Sequence, residues 1–335
     1  MTQTPLSVVI TGGAGFIGTR LASEILARGS LSVAGAPSRP VTRLTLADQL
    51  PPPGGLSRDP RVGIWQGDLV DGLKDASARP LGDADVVFHL AAAVSAECER
   101  DFDLGMRANL TGTQLVLAAC RQGGRAPVVV FSSSLAVFGG TVTHPLPDVI
   151  TDSTLPTPQS SYGIQKFIGE QLVADYSRKG FIRGRSVRLM TVSVRPGPPN
   201  AAASGFLSGI IREPLAGTRA NSPVPPDTAV ALSSPARAVE GLLRAAEAPP
   251  HQWGDPTAVN LPPVTVTVGE MVRTLERVAG PAVSALVSWE PDEAIASIVR
   301  GWPARLSTAR AAALGLSPDE SFEAIVRSYI RDSGL

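Results

Sequence analysis

A short apolar run, Leu6-Ser7-Val8-Val9-Ile10, ends in Thr11-Gly12-Gly13-Ala14-Gly15-Phe16-Ile17-Gly18, and an amphipathic segment begins immediately after it. A buried strand that turns through glycines straight into a helix admits few folds, because the strand must lie inside a sheet and the helix must pack back across it. The spacing gives each glycine a task. Gly12 makes the tight turn, Gly15 lets an anionic group approach the backbone, and Gly18 lets the helix lie close to the strand. The first helical turn, with Phe16 and Ile17, presents free N–H groups and the positive end of the helix dipole to that anion. The pyrophosphate of a dinucleotide fits such a cradle, so Gly12, Gly15, Phe16, Ile17 and Gly18 are expected to bind a cofactor.

The same alternation continues through the first two-thirds of the chain. Strands are expected at residues 7–11, 43–47, 63–66, 86–90, 128–132 and 186–194, with helices at 15–28, 104–122 and 161–178. Short apolar strands separated by helical crossovers build a parallel sheet with helices on both faces. The fold class is therefore α/β, a doubly wound parallel Rossmann sheet. Proline and glycine thicken at Arg195-Pro196-Gly197-Pro198-Pro199-Asn200 and again at 223–226, where the chain is expected to leave the sheet for a smaller α/β C-terminal substrate lobe. The division is placed at residues 1–196 and 197–335, with the two parts interleaved, and Pro196 at the junction is counted among the cofactor's neighbours. Helices are expected in the lobe at 269–278, 292–300 and 321–331, and Ser317-Pro318-Asp319-Glu320 reads as a helix start.

Thirty basic residues balance thirty acidic ones, which removes the electrostatic reason to expect nucleic acid or an anionic membrane surface as partner. No apolar run approaches the roughly 18 residues of a membrane span, and the first strand lacks the basic flank of a signal peptide. Two cysteines, Cys98 and Cys120, and three scattered histidines supply neither a disulfide framework nor a metal-binding spacing. No metal, a cytoplasmic location and a small-molecule partner are expected.

The second strand ends at Ala47-Asp48, where a carboxylate can accept hydrogen bonds from a ribose diol and repel a 2′-phosphate. No arginine follows it directly, and Phe16 stands where a phosphate-binding arginine could sit, so NAD is favoured over NADP. The distance from Gly18 to Asp48 is long, and the Gly/Ala/Pro/Ser-rich stretch 29–40 accounts for it as an insertion. Farther on, Asp68 and Leu69 close the third strand beside the expected adenine site, and Ala91-Ala92 after the fourth strand leave room for cofactor. His89, isolated in an apolar strand, is expected to be structural.

Tyr162-Gly163-Ile164-Gln165-Lys166 carries the chemistry, because groups four residues apart on a helix point to one site. A phenol titrates near about 10, so it serves as an acid/base near neutrality only where a neighbour such as an ammonium favours the phenolate. The chain has three lysines, Lys74, Lys166 and Lys179, against a large excess of arginine, which makes this placement informative. Phe131-Ser132-Ser133-Ser134 ends the fifth strand, at the sheet edge where open α/β folds bind ligands. Together the glycine loop, Ala91-Ala92, Asn109 before Thr111-Gly112-Thr113, Ser134 and the Tyr162/Lys166 pair resemble the extended short-chain dehydrogenase/reductase family over residues 6–200. The resemblance implies that Ser134 orients the substrate oxygen, Tyr162 exchanges its proton, and Lys166 binds the nicotinamide ribose while lowering the tyrosine's pKa. Asn109 resembles the family's helix asparagine, which holds a water or kinks the helix. Homodimerisation through the helices expected at 104–122 and 161–178 is common in that family.

Dehydratases of the family carry an Asp-Glu pair just after the serines, whereas this chain has Leu135-Ala136, and β-elimination needs an acid and a base beyond the tyrosine. Its sugar-nucleotide epimerases carry an Arg-Asp-aromatic stretch near the nucleotide that residues 227–237 lack. Residues 136–140, 156–166, 193–206, 210–217 and 301–303 resemble a group within the family that oxidises a four-carbon sugar acid at C2 with NAD. An epimerase and a non-enzymatic NAD-binding protein are the alternatives. A sugar-acid substrate needs a clamp, for which Ser95, Ser134, Asn200, Ser204 and Arg212 are the candidates. Ala231-Leu232 stand where that group has an aromatic, so a roomier pocket is expected.

Overall fold

Every residue of the first strand, β1 (Leu6–Thr11), is buried, as a strand flanked on both edges and covered on both faces must be. Burying each of Leu6, Val8 and Ile10 contributes roughly 1.5–3 kcal/mol. The computed structural model describes residues 4–74, 81–197 and 202–335. After β1 come β2 (Ser30–Leu31), β3 (Arg39–Asp48), β4 (Val62–Gln66), β5 (Val86–His89), β6 (Val128–Ser134) and β7 (Arg183–Leu189). They are followed by β8 (Thr191–Val192), β9 (Ala220–Ser222), β10 (Ala229–Ser233), β11 (Val259–Asn260), β12 (Val264–Thr267) and β13 (Val287–Trp289). The large sheet runs β11-β7-β6-β5-β1-β3-β2, with β4 on β3, and its pairings are parallel except β2 with β3. Helix α1 (Phe16–Arg28) buries Leu21, Ala22 and Ile25 against this sheet and ends at Gly29 in the left-handed region.

The run expected as one strand at 186–194 breaks in two. Its partner β6 runs out at Ser134, which pairs with Leu189, so the chain crosses to a second sheet, where Thr191 and Val192 of β8 pair with Leu232 and Ser233 of β10. A stretch with valine, leucine and methionine throughout, as in residues 186–194, conceals such a change of sheet. The stretch 29–40 forms a small hairpin with β2 on β3, and Ala34 and Gly35 donate to the carbonyls of Ala246 and Glu247.

After α2 (Leu69–Lys74), the helix expected at 104–122 is also interrupted. Helices α3 (Ser95–Arg100) and α4 (Phe102–Gly105) lead into a wide π-helical turn, Met106–Thr111, before α5 (Gly112–Gly123) begins. The unbroken helix α6 (Ser161–Arg178) covers β6 and β7. In the lobe, α7 (Phe206–Leu215) and the helix Val268–Ala279 enclose a separate core that includes Leu207, Ile210, Met271 and Leu275. Between these two helices the chain returns to the large sheet, with α8 (Pro235–Glu247) packed on β6, β7 and α1 and with β11 paired to β7. The last helix begins at Phe322 with Ser321 as cap, not at Ser317, because Asp319 is used to accept the N–H of Ser234.

Candidate active site

Strand order reverses at β1, which has β3 on one side and β5 on the other, and a crevice opens beyond its C-terminal end. Two contiguous cavities of about 420 and 290 Å³ occupy it and share Gly12, Gly15, Leu90 and Ala92. The glycine loop leaves no space for side chains. Gly12 has φ of 72° and donates to the Ala47 carbonyl at 2.8 Å, and a Cβ on it would lie 2.8 Å from the Ala91 nitrogen. A Cβ on Gly18 would lie 2.1 Å from the Gly12 oxygen. Gly15 caps α1, and Phe16 and Ile17 face the smaller cavity.

The wider cavity is lined by Asp48, Asp68, Leu69, Ala91 and Ala92. Asp48 accepts from the N–H groups of Ala14 (3.0 Å) and Leu50 (3.1 Å), and each of its oxygens keeps a lone pair for a ribose diol. Nearby arginines are engaged: Arg107 with Asp68 (2.7 Å) and Asp71 (2.9 Å), and Arg20 with Asp332 (2.7 Å). A 2′-phosphate would therefore meet the charge of Asp48 with no free guanidinium in the described lining to balance it, and the donor set fits NAD. Asn109, buried in the π turn, accepts from the Ala93 N–H (2.8 Å) and donates to the Ala93 carbonyl (3.2 Å) and to Gln165 Oε1 (2.7 Å). It fixes the segment after β5 to α6 and lines neither cavity, and Pro196 is exposed outside both. His89 lies between Thr11 (2.7 Å) and Thr113 (3.0 Å), and burial, aided by the Lys166 charge, lowers its pKa to about 3. Neutral and enclosed, it is structural.

Small residues let α6 press against β6. A Cβ on Gly163 would lie 2.1 Å from the Ala136 oxygen, and one on Gly169 would lie 2.6 Å from the Phe131 ring. Ser160 caps the helix by accepting from the Gly163 N–H at 3.1 Å. Tyr162 and Lys166 both line the smaller cavity, together with Ser134. Lys166 is 3% exposed, donates to the Ser132 carbonyl at 2.8 Å and lies 5.7 Å from the Tyr162 ring centre. Burial pushes its pKa down to about 8. Of the serines, Ser132 donates to the His89 carbonyl (3.1 Å) and Ser133 to Glu170 (2.5 Å), which also holds Arg188 in a buried ion pair (2.7 Å). Ser134 Oγ accepts from the Ala136 N–H at 3.1 Å, which leaves its hydroxyl proton free to be donated. The phenol of Tyr162 is pushed up to about 12 by burial, against a hydrogen bond with Ser134 and the charge of Arg195. Burial outweighs both of these lowering influences.

At the substrate end, Ser95 accepts from the Ala203 N–H at 3.1 Å and lines the smaller cavity with Ser204, Thr191, Arg195 and Trp302. Among the described residues, no Asp or Glu lines this cavity, and Leu135 and Ala136 are buried apolar contacts. Arg212 lies outside the lining, with its guanidinium donating to the Arg195 carbonyl (2.7 Å) and Glu213 (2.6 Å). Asn200 falls outside the described residues. Arg195 was hidden in the sequence by its place in a proline-glycine turn; its position just after a strand end is the signal that could have found it. The expected extra room at Ala231-Leu232 is also filled. Ala231 is 3% exposed behind Leu135 and Met190, and Trp302 packs on that cluster while lining the cavity.

Residues 8–226 match the model of the NAD dependent epimerase/dehydratase family. The chain is 49% identical over 332 residues to a D-erythronate dehydrogenase of Cupriavidus necator, covering 98% of this chain and 99% of that one. It is 41% identical over 327 residues to a D-erythronate dehydrogenase of Haemophilus influenzae, covering 97% and 99%. Among solved structures, a nucleoside-diphosphate-sugar epimerase from Agrobacterium tumefaciens superimposes with a TM-score of 0.88 at 40% identity, covering 99% of this chain and 96% of that one.

Proposed function

Because the chain belongs to the NAD dependent epimerase/dehydratase family, we propose that it is an NAD-dependent dehydrogenase that oxidises D-erythronate at C2 to 2-oxo-D-erythronate. Two relatives with that activity in their names match nearly the full chain. The observation that carries the reading is that Ser134, Tyr162 and Lys166 converge on one cavity whose described lining holds no carboxylate. Simple oxidation needs one proton acceptor and a hydride acceptor, and elimination needs more. When bound, NAD would supply the hydride acceptor. The backbone of the Gly12 to Gly18 loop would hold the pyrophosphate, Asp48 the adenosine ribose, and Lys166 the nicotinamide ribose. Ser134 donates to the C2 oxygen and orients it. Tyr162, as phenolate, takes the hydroxyl proton while the C2 hydrogen departs as hydride. Lys166, held on the Ser132 carbonyl, keeps positive charge beside the tyrosine.

Homodimerisation is part of this proposal, since Phe102, Leu104, Ile164 and Ile168 are 59%, 41%, 46% and 36% exposed on α4 and α6. Mass measurement by light scattering tests it, and a monomer at micromolar concentration rejects it. A cytoplasmic location fits the two free, buried cysteines; no described helix is long and apolar enough to cross a membrane. The function is tested by following reduced-nicotinamide absorbance with NAD and D-erythronate, L-threonate and longer aldonates. Growth with D-erythronate supports the reading. Silence across the panel, with turnover of a sugar nucleotide and no net NADH, would transfer it to an epimerase.

A further inference from the structure

We infer that Arg195 grips the substrate carboxylate beside Tyr162 and so restricts oxidation to the hydroxyl on the carbon next to an acid group. The inference rests on the sugar-acid reading above and adds the residue that enforces it. Among the described residues, two cationic side chains line the smaller cavity, Lys166 and Arg195. Lys166 gives one donor to the Ser132 carbonyl at 2.8 Å, and the reading above assigns its remaining donors to the nicotinamide ribose. The guanidinium of Arg195 has no hydrogen bond or ion pair among the described residues, although the residue is only partly exposed.

Its backbone, in contrast, is fixed on both sides. The Arg195 N–H donates to Ser208 Oγ at 3.0 Å, and its carbonyl accepts from Arg212 at 2.7 Å. Arg212 is anchored in turn by Glu213 at 2.6 Å, so this second arginine positions the first and is not itself available to substrate. A partly desolvated guanidinium without a partner is unfavourable, and a carboxylate offering two oxygens is the complement that its planar fork selects. No acidic side chain in the described lining competes for it. Arg195 and Tyr162 line the same cavity, which makes the two groups neighbours. A carboxylate seated on Arg195 therefore presents the adjacent hydroxyl to Tyr162, while hydroxyls farther along the chain extend toward Ser95 and Ser204.

The test compares D-erythronate with its neutral amide in wild type, R195Q and R195K, with NADH binding followed by fluorescence. R195Q is expected to lower kcat/KM for the acid by about 100-fold, to change the amide by less than about 3-fold, and to leave NADH binding intact. R195K keeps the charge but loses the fork, and its acid preference is expected to lie between the two. Equal losses on acid and amide in R195Q, or a wild type that prefers neither, would overturn the assignment while leaving the dehydrogenase reading in place. A wild type inactive on every sugar acid overturns that reading and this inference together. Should R195Q not fold, the wild-type ratio and R195K decide: a ratio near one, or an unchanged ratio in R195K, rejects the role.

Discussion

The two ends of the cleft are made in different ways. The cofactor end is backbone geometry: one strand, one glycine turn and one helix, all within residues 6–28, supplemented by side chains at the ends of β3 and β5. Its shape is set by what cannot be present, since a Cβ at Gly12 or Gly18 would strike backbone. The substrate end is a meeting of side chains from distant parts of the chain, with Ser95, Ser134, Tyr162, Arg195, Ser204 and Trp302 brought to one cavity. Rigid local geometry preserves a shared cofactor, and dispersed side chains allow the substrate to change without disturbing it.

The largest expected effect comes from the residue between the two ends. Tyr162→Phe removes one oxygen and should lower kcat by about 10³-fold or more while leaving NADH affinity within about 2-fold, because a phenyl ring keeps the packing. Pre-steady-state turnover and fluorescence titration measure the two quantities separately. A variant that loses both in parallel would dissolve the distinction drawn between the ends. Gly18→Val is the complementary break. Its Cβ would fall 2.1 Å from the Gly12 oxygen, and overpacking of roughly 1–3 kcal/mol should weaken NADH binding by about 10–100-fold. The preference for acid over amide should survive in that variant.

How far the sequence could be read follows the same division. Glycine spacing, Asp48 and the Tyr162/Lys166 pair are local signals tied to a helical or strand period, so they are visible without knowledge of the fold. The π turn at Met106–Thr111 leaves no trace in hydrophobic period, because it arises from contacts between Asn109 and Ala93 and between Asn109 and Gln165 that join separate segments. The change of sheet after Leu189 is likewise a consequence of β6 ending at Ser134. Arg212 and Arg195 are chemically equivalent in the sequence. What separates them is tertiary: Glu213 and a carbonyl occupy one, and nothing in the described residues occupies the other.

His89, at the end of β5, joins the cofactor loop to α5 through Thr11 and Thr113 and yields a test by pH. Its folded pKa, about 3, lies below the ordinary imidazole value of 6.5. Between those values the unfolded chain binds a proton that the folded chain does not, so stability is fully present above about 6.5 and is lost as pH falls toward the folded value. Going from about pH 7 to about pH 5 should cost about 2 kcal/mol from this group, read as a shift in urea midpoint. His89→Gln should lose that component of the acid sensitivity. An unchanged pH profile in the variant would mean that other groups control acid stability in the cofactor half.

The smallest expected effect probes the wall of the substrate end. Trp302 reaches the cavity from a segment that follows the helix Glu293–Arg300, and its other face rests on the Leu135, Met190 and Ala231 cluster. It supplies bulk that the small side chain at Ala231 does not, and under the proposed function it would set how long a substrate the cavity takes. Trp302→Ala should therefore raise the KM for D-erythronate by about 5–10-fold, near 1 kcal/mol, and improve the relative kcat/KM of five-carbon aldonates by a similar factor, since one carbon in an apolar pocket is worth about 1–3 kcal/mol. NADH affinity should not move, because Trp302 lines the cavity away from Asp48 and Asp68. If Trp302→Ala weakens NADH as strongly as substrate, the lobe supports the cofactor too, and the two ends are coupled through it. If instead the length preference shifts alone, chain-length selection lies in this one indole, separately from the charge selection assigned to Arg195.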